Sequence, residues 1–281
     1  MDKNNGQNST SDYDQLIKYA KALSEVYKSE KNKRKELETA QKQLMKYADA
    51  LNNNIIELKD KNKELQEAYL DTIHRLVLAA EYKDPEIGGH IERMSRYSAF
   101  ISEKLGFTAN DCQNILYAAP MHDVGKIGIP DGILMKSTKL TEEEFGVMKN
   151  HVTIGAKIVA GSKSQSLQFA GLIAVSHHEK WNGDGYPNEL SGEKIPLVGR
   201  IVALADVFDA LTSRRPYKDP YPIETACDII RKERCRHFDP NVVDVFLDNI
   251  DEIIKIKNEV DSLENMSLSD FTYSERDLMI I

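Results

Sequence analysis

The chain has 281 residues, 41% of them hydrophobic, so it can bury a sizeable core as one large domain or two smaller ones. Its formal net charge of −8 argues against binding nucleic acid or an anionic membrane through bulk electrostatics. The three cysteines form no C-x-x-C pair, and no apolar run approaches the ~18 residues that span a bilayer. We therefore expect a cytoplasmic protein without a disulfide framework, a thiolate zinc site, a signal peptide or membrane insertion.

The N-terminal part of the chain carries a heptad repeat. Residues 1–12 are polar and are predicted to be disordered. No Pro or Gly occurs between Ser11 and Lys83, and leucine recurs at heptad position d, interrupted only by Glu30: Leu16, Leu23, Leu37, Leu44, Leu51, Leu58 and Leu65. Polar residues at position a, Gln41 and Asn62, weaken a coil but restrict its register. We predict a parallel coiled coil over residues 13–69 that forms a homodimer. The alternative is one long solvated helix that folds back on the domain.

Helical patterns continue after residue 69. The segment "LDTIHRLVLAAEYKD" contains no helix breaker, so the coil and the following domain are predicted to share one helix. Thr141 and Glu144 have the spacing of a capping box, and Asp239 with Pro240 fits the N-cap and N1 positions of another helix. No segment shows a convincing strand period. Residues 70–255 are therefore predicted to form an all-α domain, followed by a charged tail over residues 256–281. The other helical segments are "QNILYAAPMHDVG", "LTEEEFGVMKNHVTIGAKIV", "VGRIVALADVFDALTS" and "ETACDIIRKERC".

Several titratable residues stand where apolar helices give no packing reason for them. His122 and Asp123 end an apolar helix. Asp206 lies in the nearly all-apolar "RIVALADVFDAL", where a buried carboxylate must be paired or bind a metal. His177 and His178 are adjacent, and adjacent side chains on a helix point about 100° apart, so they are not two ordinary core residues. These positions indicate a functional site.

Five histidines and three carboxylates, with no thiolate among them, indicate a site for two or three metal ions with nitrogen and oxygen ligands. Two of these residues, Glu86 and His90, are four apart and would share one face of a helix. Two ions close together suit hydrolysis of a phosphoester, because they activate water and screen charge on the leaving oxygen. Lys126 is either placed to reach a phosphoryl oxygen or is a solvated surface lysine. The eight predicted ligands are Glu86, His90, His122, Asp123, His151, His177, His178 and Asp206.

Three motifs in this order, "MHDVGK", "HHEKWNGDGYP" and "ADVFDALTSRRPY", resemble the HD-GYP family, a branch of the HD phosphohydrolases. The match runs over residues 70–250. The resemblance implies an HD-type helical bundle that acts as a phosphodiesterase, opening cyclic di-GMP to pGpG or GMP. It also implies two or three divalent ions, iron or manganese, as cofactors.

The resemblance also implies roles for individual residues. It makes His122, Asp123, His151, His177, His178 and Asp206 the ligands of a metal core, with Glu86 and His90 completing a third metal site. His122, Asp123 and Lys126 are the implied catalytic residues. Residues that bind the cyclic di-GMP substrate are implied to be Gly185, Tyr186, Pro187, Arg215 and Lys218. We expect His177 and His178 to serve different metals, and the loop through Gly183 and Gly185 to bring Tyr186 over the substrate.

The chain departs from the family pattern at three places, none of them a predicted ligand. Ser137 and Thr138 replace the usual Pro-Gly, Arg214 replaces a common aspartate, and Cys235 replaces a common glycine. Two rival functions remain. One is a different HD phosphohydrolase, acting on another nucleotide or cyclic dinucleotide. The other is an inactive scaffold that binds a signalling partner through the coil or the G-Y-P loop, against which the intact ligand set argues.

Overall fold

The computed structural model describes residues 7–81, 89–214 and 219–270. All regular structure in these ranges is helical, apart from one isolated β-bridge between Arg234 and Phe238, which confirms the all-α prediction. The helices are α1 Gln7–Glu81, α2 His90–Lys104, α3 Ala109–Ala118, α4 Asp131–Leu134, α5 Glu142–Met148, α6 His151–Val159, α7 Gln165–Ser176, α8 Leu197–Thr212, α9 Ile223–Lys232, α10 Pro240–Asp248 and α11 Ile250–Asp270. Short 3-10 helices span Ala119–Met121, Val124–Gly128 and Gly192–Lys194.

The first helix, α1, runs for 75 residues without a break, as the absence of Pro and Gly predicts. It begins at Gln7, so residues 7–12 are helical where the sequence predicted disorder. The chain folds as two compact units, with the boundary between Ala68 and Tyr69. Among the described helices, none is long and apolar enough to cross a membrane.

The first unit presents the heptad leucines at its surface. In the single chain each of the seven is at least 61% exposed: Leu16, Leu23, Leu37, Leu44, Leu51, Leu58 and Leu65. Salt bridges between residues three or four apart, such as Lys61 with Glu64 at 2.8 Å, join side chains along the same helix. Pairs of this kind support the helix but leave the apolar stripe uncovered.

The second unit is a helical bundle built around α8. Because most residues of α8 are apolar, the helix is buried on several sides, against α2, α7, α9 and α10. The ring of Phe208 packs edge-on against Tyr97 of α2 at 5.6 Å between centroids and against Phe246 of α10 at 4.9 Å. These contacts position α2 and α8, which carry His90 and Asp206.

Two predicted helix starts are confirmed by their caps. The side chain of Thr141 accepts a hydrogen bond from the Glu144 backbone N–H, and the Glu144 carboxylate accepts one from the Thr141 backbone N–H, which completes the capping box of α5. Asp239 caps α10, with Pro240 at its first position. The pattern over residues 140–159 was predicted to be helical throughout, but the structure divides it into α5 and α6. This division places His151 at the first residue of α6.

The C-terminal boundary differs from the sequence prediction. Helix α11 continues to Asp270, beyond residue 255, and its apolar residues Ile253 and Val260 are buried. Arg93 of α2 donates a hydrogen bond to Asp261 of α11 at 3.0 Å. Because the segment is highly charged, the sequence did not predict that one face of α11 is apolar and packs on the bundle.

Of the departures from the family pattern, Cys235 has a visible structural consequence. Its φ of 65° lies in the left-handed region, where a side chain costs roughly 1–2 kcal/mol and glycine costs little. The glycine that is common at this position is therefore explained by the left-handed backbone conformation. In this chain Cys235 adopts that conformation with a side chain and is strained.

Candidate metal centre

Two groups of histidine and carboxylate side chains lie in the second unit. In each group, one ligand atom from every residue lies within 4.8 Å of the others. The first group is Asp123, His151, His177 and His178, and the second is His90, His122 and Asp206. Seven of the eight predicted ligands therefore converge at one place in the bundle.

Asp123 stands between the two groups. Its Oδ1 lies 3.2 Å from His151 Nε2 and 3.5 Å from His177 Nε2, both in the first group. Its Oδ2 lies 3.2 Å from His122 Nε2 in the second group and 2.9 Å from Lys126 Nζ. One carboxylate thus faces both groups, the arrangement that a bridging ligand requires.

The proton positions on three rings follow from their hydrogen bonds. His122 Nδ1 donates to Ala119 O at 3.0 Å, His151 Nδ1 to Met148 O at 2.8 Å, and His177 Nδ1 to the carbonyls of Ile173 and Ala174 at 3.1 Å. A carbonyl oxygen only accepts, so the Nδ1 atoms carry the protons. In the neutral ring, Nε2 then presents its lone pair toward Asp123, as metal-binding imidazoles do.

The donor atoms of the first group fit a metal ion. His151 Nε2, His177 Nε2 and Asp123 Oδ1 are buried and make no hydrogen bond. Buried polar atoms are nearly always paired, so three converging lone pairs need a partner. A divalent cation that accepts nitrogen and oxygen ligands satisfies all three at once.

The electrostatics of the site keep the Asp123 carboxylate ionised and the His177 and His178 rings neutral. Burial raises the pKa of Asp123, but its interactions with His122 and Lys126 outweigh burial and hold that pKa well below its usual range. Burial lowers the pKa of His177. Burial and the adjacent His177 ring together lower the pKa of His178. An ionised carboxylate and neutral rings are the forms that bind metals.

Gly125 explains why the H-D-x-G-K motif contains a glycine. A Cβ at this position would lie 1.9 Å from His151 O and 2.4 Å from Gly155 N. The 3-10 helix that contains Gly125 can therefore approach α6 only without a side chain at this point. This close approach brings Asp123 and Lys126 to His151.

His177 and His178, which were expected to serve different metals, do not lie in separate ligand groups. Both belong to the first group, and their ring centroids are 4.0 Å apart. Helix α7 ends at Ser176, so His178 lies in a turn where the 100° helical step no longer applies. The predicted divergence depended on a helix that ends one residue before the pair.

From the sequence, Asp206 was predicted to be the buried aspartate of α8, but the buried aspartate is Asp209. The side chain of Asp206 is 23% exposed, whereas that of Asp209 is 1% exposed. Asp209 accepts hydrogen bonds from His90 Nδ1 at 2.8 Å and from Arg93 Nε at 2.7 Å. Burial raises the pKa of Asp209, but these two partners outweigh burial and keep it below its usual value. The sequence does contain this second aspartate, Asp209, three residues after Asp206 in the same apolar helix, and it could have been considered as the buried carboxylate.

We predict that Asp209→Asn weakens metal binding. The amide replaces one acceptor oxygen with an NH2 group, which would face the N–H of either His90 or Arg93, and it also removes the negative charge, so His90 loses its fixed orientation. Loss of such a supporting hydrogen bond typically lowers metal affinity by about 10- to 100-fold. Metal titration of the chelator-treated protein measures the change.

Asp239→Asn is the matched control for Asp209→Asn. Asp239 is also buried and pairs with an arginine, Arg200, but it caps α10 and is absent from both ligand groups. Melting temperatures of the two variants separate a loss of stability from a loss of metal affinity. Equal metal affinity in both variants would show that Asp209 does not orient His90.

The G-Y-P loop is held against the first group. The buried Glu179 carboxylate accepts hydrogen bonds from the backbone N–H groups of Asn188 at 2.8 Å and Leu190 at 3.0 Å. A Cβ at Gly185 would lie 2.3 Å from Lys180 N, so only glycine allows this approach. Tyr186, followed by Pro187, stacks on His178 with ring centroids 4.8 Å apart. Sequence reasoning named Tyr186 but missed the role of Glu179, the glutamate of H-H-E.

Three predicted site residues lie outside the described residues: Glu86, Arg215 and Lys218. Helix α2 begins at His90, with Gly89 before it at a φ of 76°. The predictions for these three residues therefore stay predictions.

Comparison with known proteins identifies several relatives. The chain is 47% identical over 177 residues to a cyclic di-GMP phosphodiesterase response regulator of Xanthomonas campestris pv. campestris, covering 63% of this chain and 47% of that protein. It is 46% identical over 177 residues to a cyclic di-GMP phosphodiesterase of Thermotoga maritima, covering 63% and 48%. A 3′3′-cGAMP-specific phosphodiesterase 2 of Vibrio cholerae is 41% identical over 191 residues, covering 68% and 37%. The chain thus spans about half the length, or less, of these relatives.

A solved structure supports the fold. A cyclic GMP-AMP specific phosphodiesterase of V. cholerae matches with a TM-score of 0.51 at 20% identity, covering 68% of this chain and 50% of that one. The family model of the HD domain matches residues 76–242, which include the described ligands of both groups. The chain therefore belongs to the HD domain family, in the HD-GYP branch whose motifs it carries.

Proposed function

We propose that this protein is a metal-dependent phosphodiesterase that opens cyclic di-GMP to pGpG, to GMP, or to both. The observation that carries the proposal is the position of Asp123, whose two oxygens face separate groups of imidazole ligands beside Lys126. Divalent ions at such a site supply an activated water and neutralise charge on the departing oxygen of a phosphodiester. We propose two or three ions per chain, iron or manganese, both of which suit this ligand set.

The chain's own residues support the reaction in two ways. Lys126 Nζ, 2.9 Å from Asp123 Oδ2, is near enough to the ligand groups to hold a phosphoryl oxygen and stabilise the charge that develops there. The Nδ1 hydrogen bonds hold the rings of His122 and His151 in fixed orientations. We assign substrate binding to Gly185, Tyr186 and Pro187, with Arg215 and Lys218 on the second phosphate.

A hybrid cyclic dinucleotide is the second candidate substrate. The names of the relatives support a cyclic dinucleotide in general, since two are named for cyclic di-GMP and one for 3′3′-cGAMP. The relative named for 3′3′-cGAMP is only slightly less similar to this chain than the others. Sequence identity to these relatives therefore does not distinguish cyclic di-GMP from 3′3′-cGAMP as the substrate.

Product analysis tests the proposed activity. Protein purified without oxygen and loaded with iron(II) or manganese(II) is incubated with cyclic di-GMP and, separately, with 3′3′-cGAMP, and the products are separated by chromatography. Appearance of pGpG or GMP from cyclic di-GMP supports the first candidate, and cleavage of 3′3′-cGAMP alone supports the second. If both substrates stayed intact at full metal loading, the inactive scaffold would be the better account.

We predict that Glu86→Ala loses about one metal per chain. Six ligands, His122, Asp123, His151, His177, His178 and Asp206, suffice for two ions when Asp123 bridges. Glu86 is therefore expected to hold mainly a third ion together with His90, which the structure places beside His122 and Asp206. Activity should weaken but persist, because the remaining pair of ions still activates water. Elemental analysis of protein loaded without oxygen measures the ratio, and an unchanged ratio would favour a dinuclear site with Glu86 as a solvated loop residue.

We further propose that the chain forms a homodimer through the coiled coil and that a signalling partner binds at the coil or the G-Y-P loop. The exposed leucine stripe of α1 supports a dimer, because a leucine repeat of this length is typical of a coiled-coil seam.

A cytoplasmic location also stays a prediction, supported by the free state of Cys112, Cys227 and Cys235.

A further inference from the structure

Phe145 is a large aromatic residue beside the metal centre that core packing does not explain. Helix α5 has no buried residue, and Phe145 is 44% exposed. Its ring lies edge-on to Tyr186 with centroids 6.2 Å apart, and Tyr186 stacks on His178 of the first ligand group. Phe145 is therefore separated from the ligands by a single ring.

The ammonium group of Lys149 lies close to both rings. Lys149 Nζ lies 5.0 Å from the Phe145 centroid and 5.1 Å from the Tyr186 centroid, within the range of cation–π attraction. The nearby Glu144 carboxylate is engaged by Lys136 Nζ at 2.6 Å, which offsets its negative charge. This rim therefore suits an anionic aromatic ligand even though the chain carries a net charge of −8.

We propose that Phe145 provides the stacking surface for one base of the cyclic dinucleotide, beside the Tyr186 ring that stands edge-on to it and is itself stacked on His178, an inference that rests on the proposed function. A ribose separates each base from its phosphate. A phosphate at the ligand groups therefore brings its base to the neighbouring rings and not onto the ligands themselves. Aromatic side chains stack on any base, because every base has a π-face. Phe145 thus contributes to substrate binding and leaves bond cleavage to the ligand groups.

Steady-state kinetics of Phe145→Leu test the stacking surface. Leucine keeps an apolar side chain but lacks the aromatic face, and an exposed position on α5 tolerates the change. We expect KM for cyclic di-GMP to rise by roughly 5- to 100-fold, as loss of one base–aromatic stack implies, with little change in kcat. Phe145→Tyr should restore the wild-type KM. Val147→Ala, on the same helix and 36% exposed, is the matched control.

A spectroscopic measurement keeps this inference separate from the proposed activity. A cyclic dinucleotide with 2-aminopurine in place of one guanine loses fluorescence when that base stacks. Quenching should occur with wild type, Phe145→Tyr and Val147→Ala, and should be largely lost with Phe145→Leu. Wild type that quenches the probe but hydrolyses nothing would contradict the proposed function alone. Phe145→Leu with wild-type KM and wild-type quenching would overturn the stacking surface.

Discussion

Replacing Asp123 with alanine is expected to lower phosphodiester hydrolysis by at least about 10³-fold and to lower the metal content of the purified protein. The carboxylate faces His151 and His177 with one oxygen and His122 with the other, so its loss removes the one carboxylate of the first group and the oxygen that faces the second. It also removes a carboxylate that lies 2.9 Å from Lys126 Nζ. Product chromatography and elemental analysis measure the two effects.

The Asp123→Ala variant should retain the helical fold. A half-buried carboxylate is costly to desolvate, so replacing Asp123 removes this unfavourable free energy as well as favourable contacts. Asp228→Ala, at a solvent-exposed position of α9, serves as the control for loss of an aspartate outside the site. Circular dichroism compares the folds. Turnover near the wild-type rate in Asp123→Ala would contradict catalysis by two metals that share this carboxylate.

Replacing Leu44 and Leu51 together with lysine is expected to convert a dimer to a monomer. Both residues lie in the middle of the leucine repeat, at 70% and 61% exposure in the single chain. In a coiled coil they would be buried against the partner helix, so two charges per chain would enter an apolar seam. Light scattering measures the mass of the wild type and of the variant.

A control with the same added charge separates the seam from the rest of α1. Gln43 and Ala50 precede the two leucines by one residue, at heptad position c on the outer face. Their replacement by lysine should leave the mass unchanged. If wild type and the Leu44/Leu51 variant had the same monomeric mass, a single solvated helix would replace the coiled coil as the interpretation of the repeat.

Local features of the fold were predictable from the sequence because they depend on neighbouring residues. The capping box of Thr141 and Glu144 and the cap at Asp239 involve residues at most three apart, and both helices start where predicted. The unbroken α1 follows from the absence of Pro and Gly. The residues of both groups were also named from the sequence, because its motifs resemble those of the HD-GYP family and because polar residues such as His122 and Asp206 stand in apolar helices.

Contacts between distant segments were not predictable in the same way. Asp209 and His90 are 119 residues apart, and nothing in "ADVFDAL" tells which of its two aspartates faces a histidine of another helix. The break between α5 and α6 and the end of α7 at Ser176 are small changes in local geometry. They nevertheless decide where His151, His177 and His178 point.

The sequence by itself determined the helical class, the heptad stripe of α1 and the chemical identity of the ligands, since residue type and short spacing suffice for these. The tertiary structure decided how the ligands are grouped. His177 and His178 fall in one group, Asp123 faces both groups, and the close approach at Gly125 brings Asp123 to His151. Grouping depends on how helices far apart in the chain pack against one another, and that packing is set by the whole core at once.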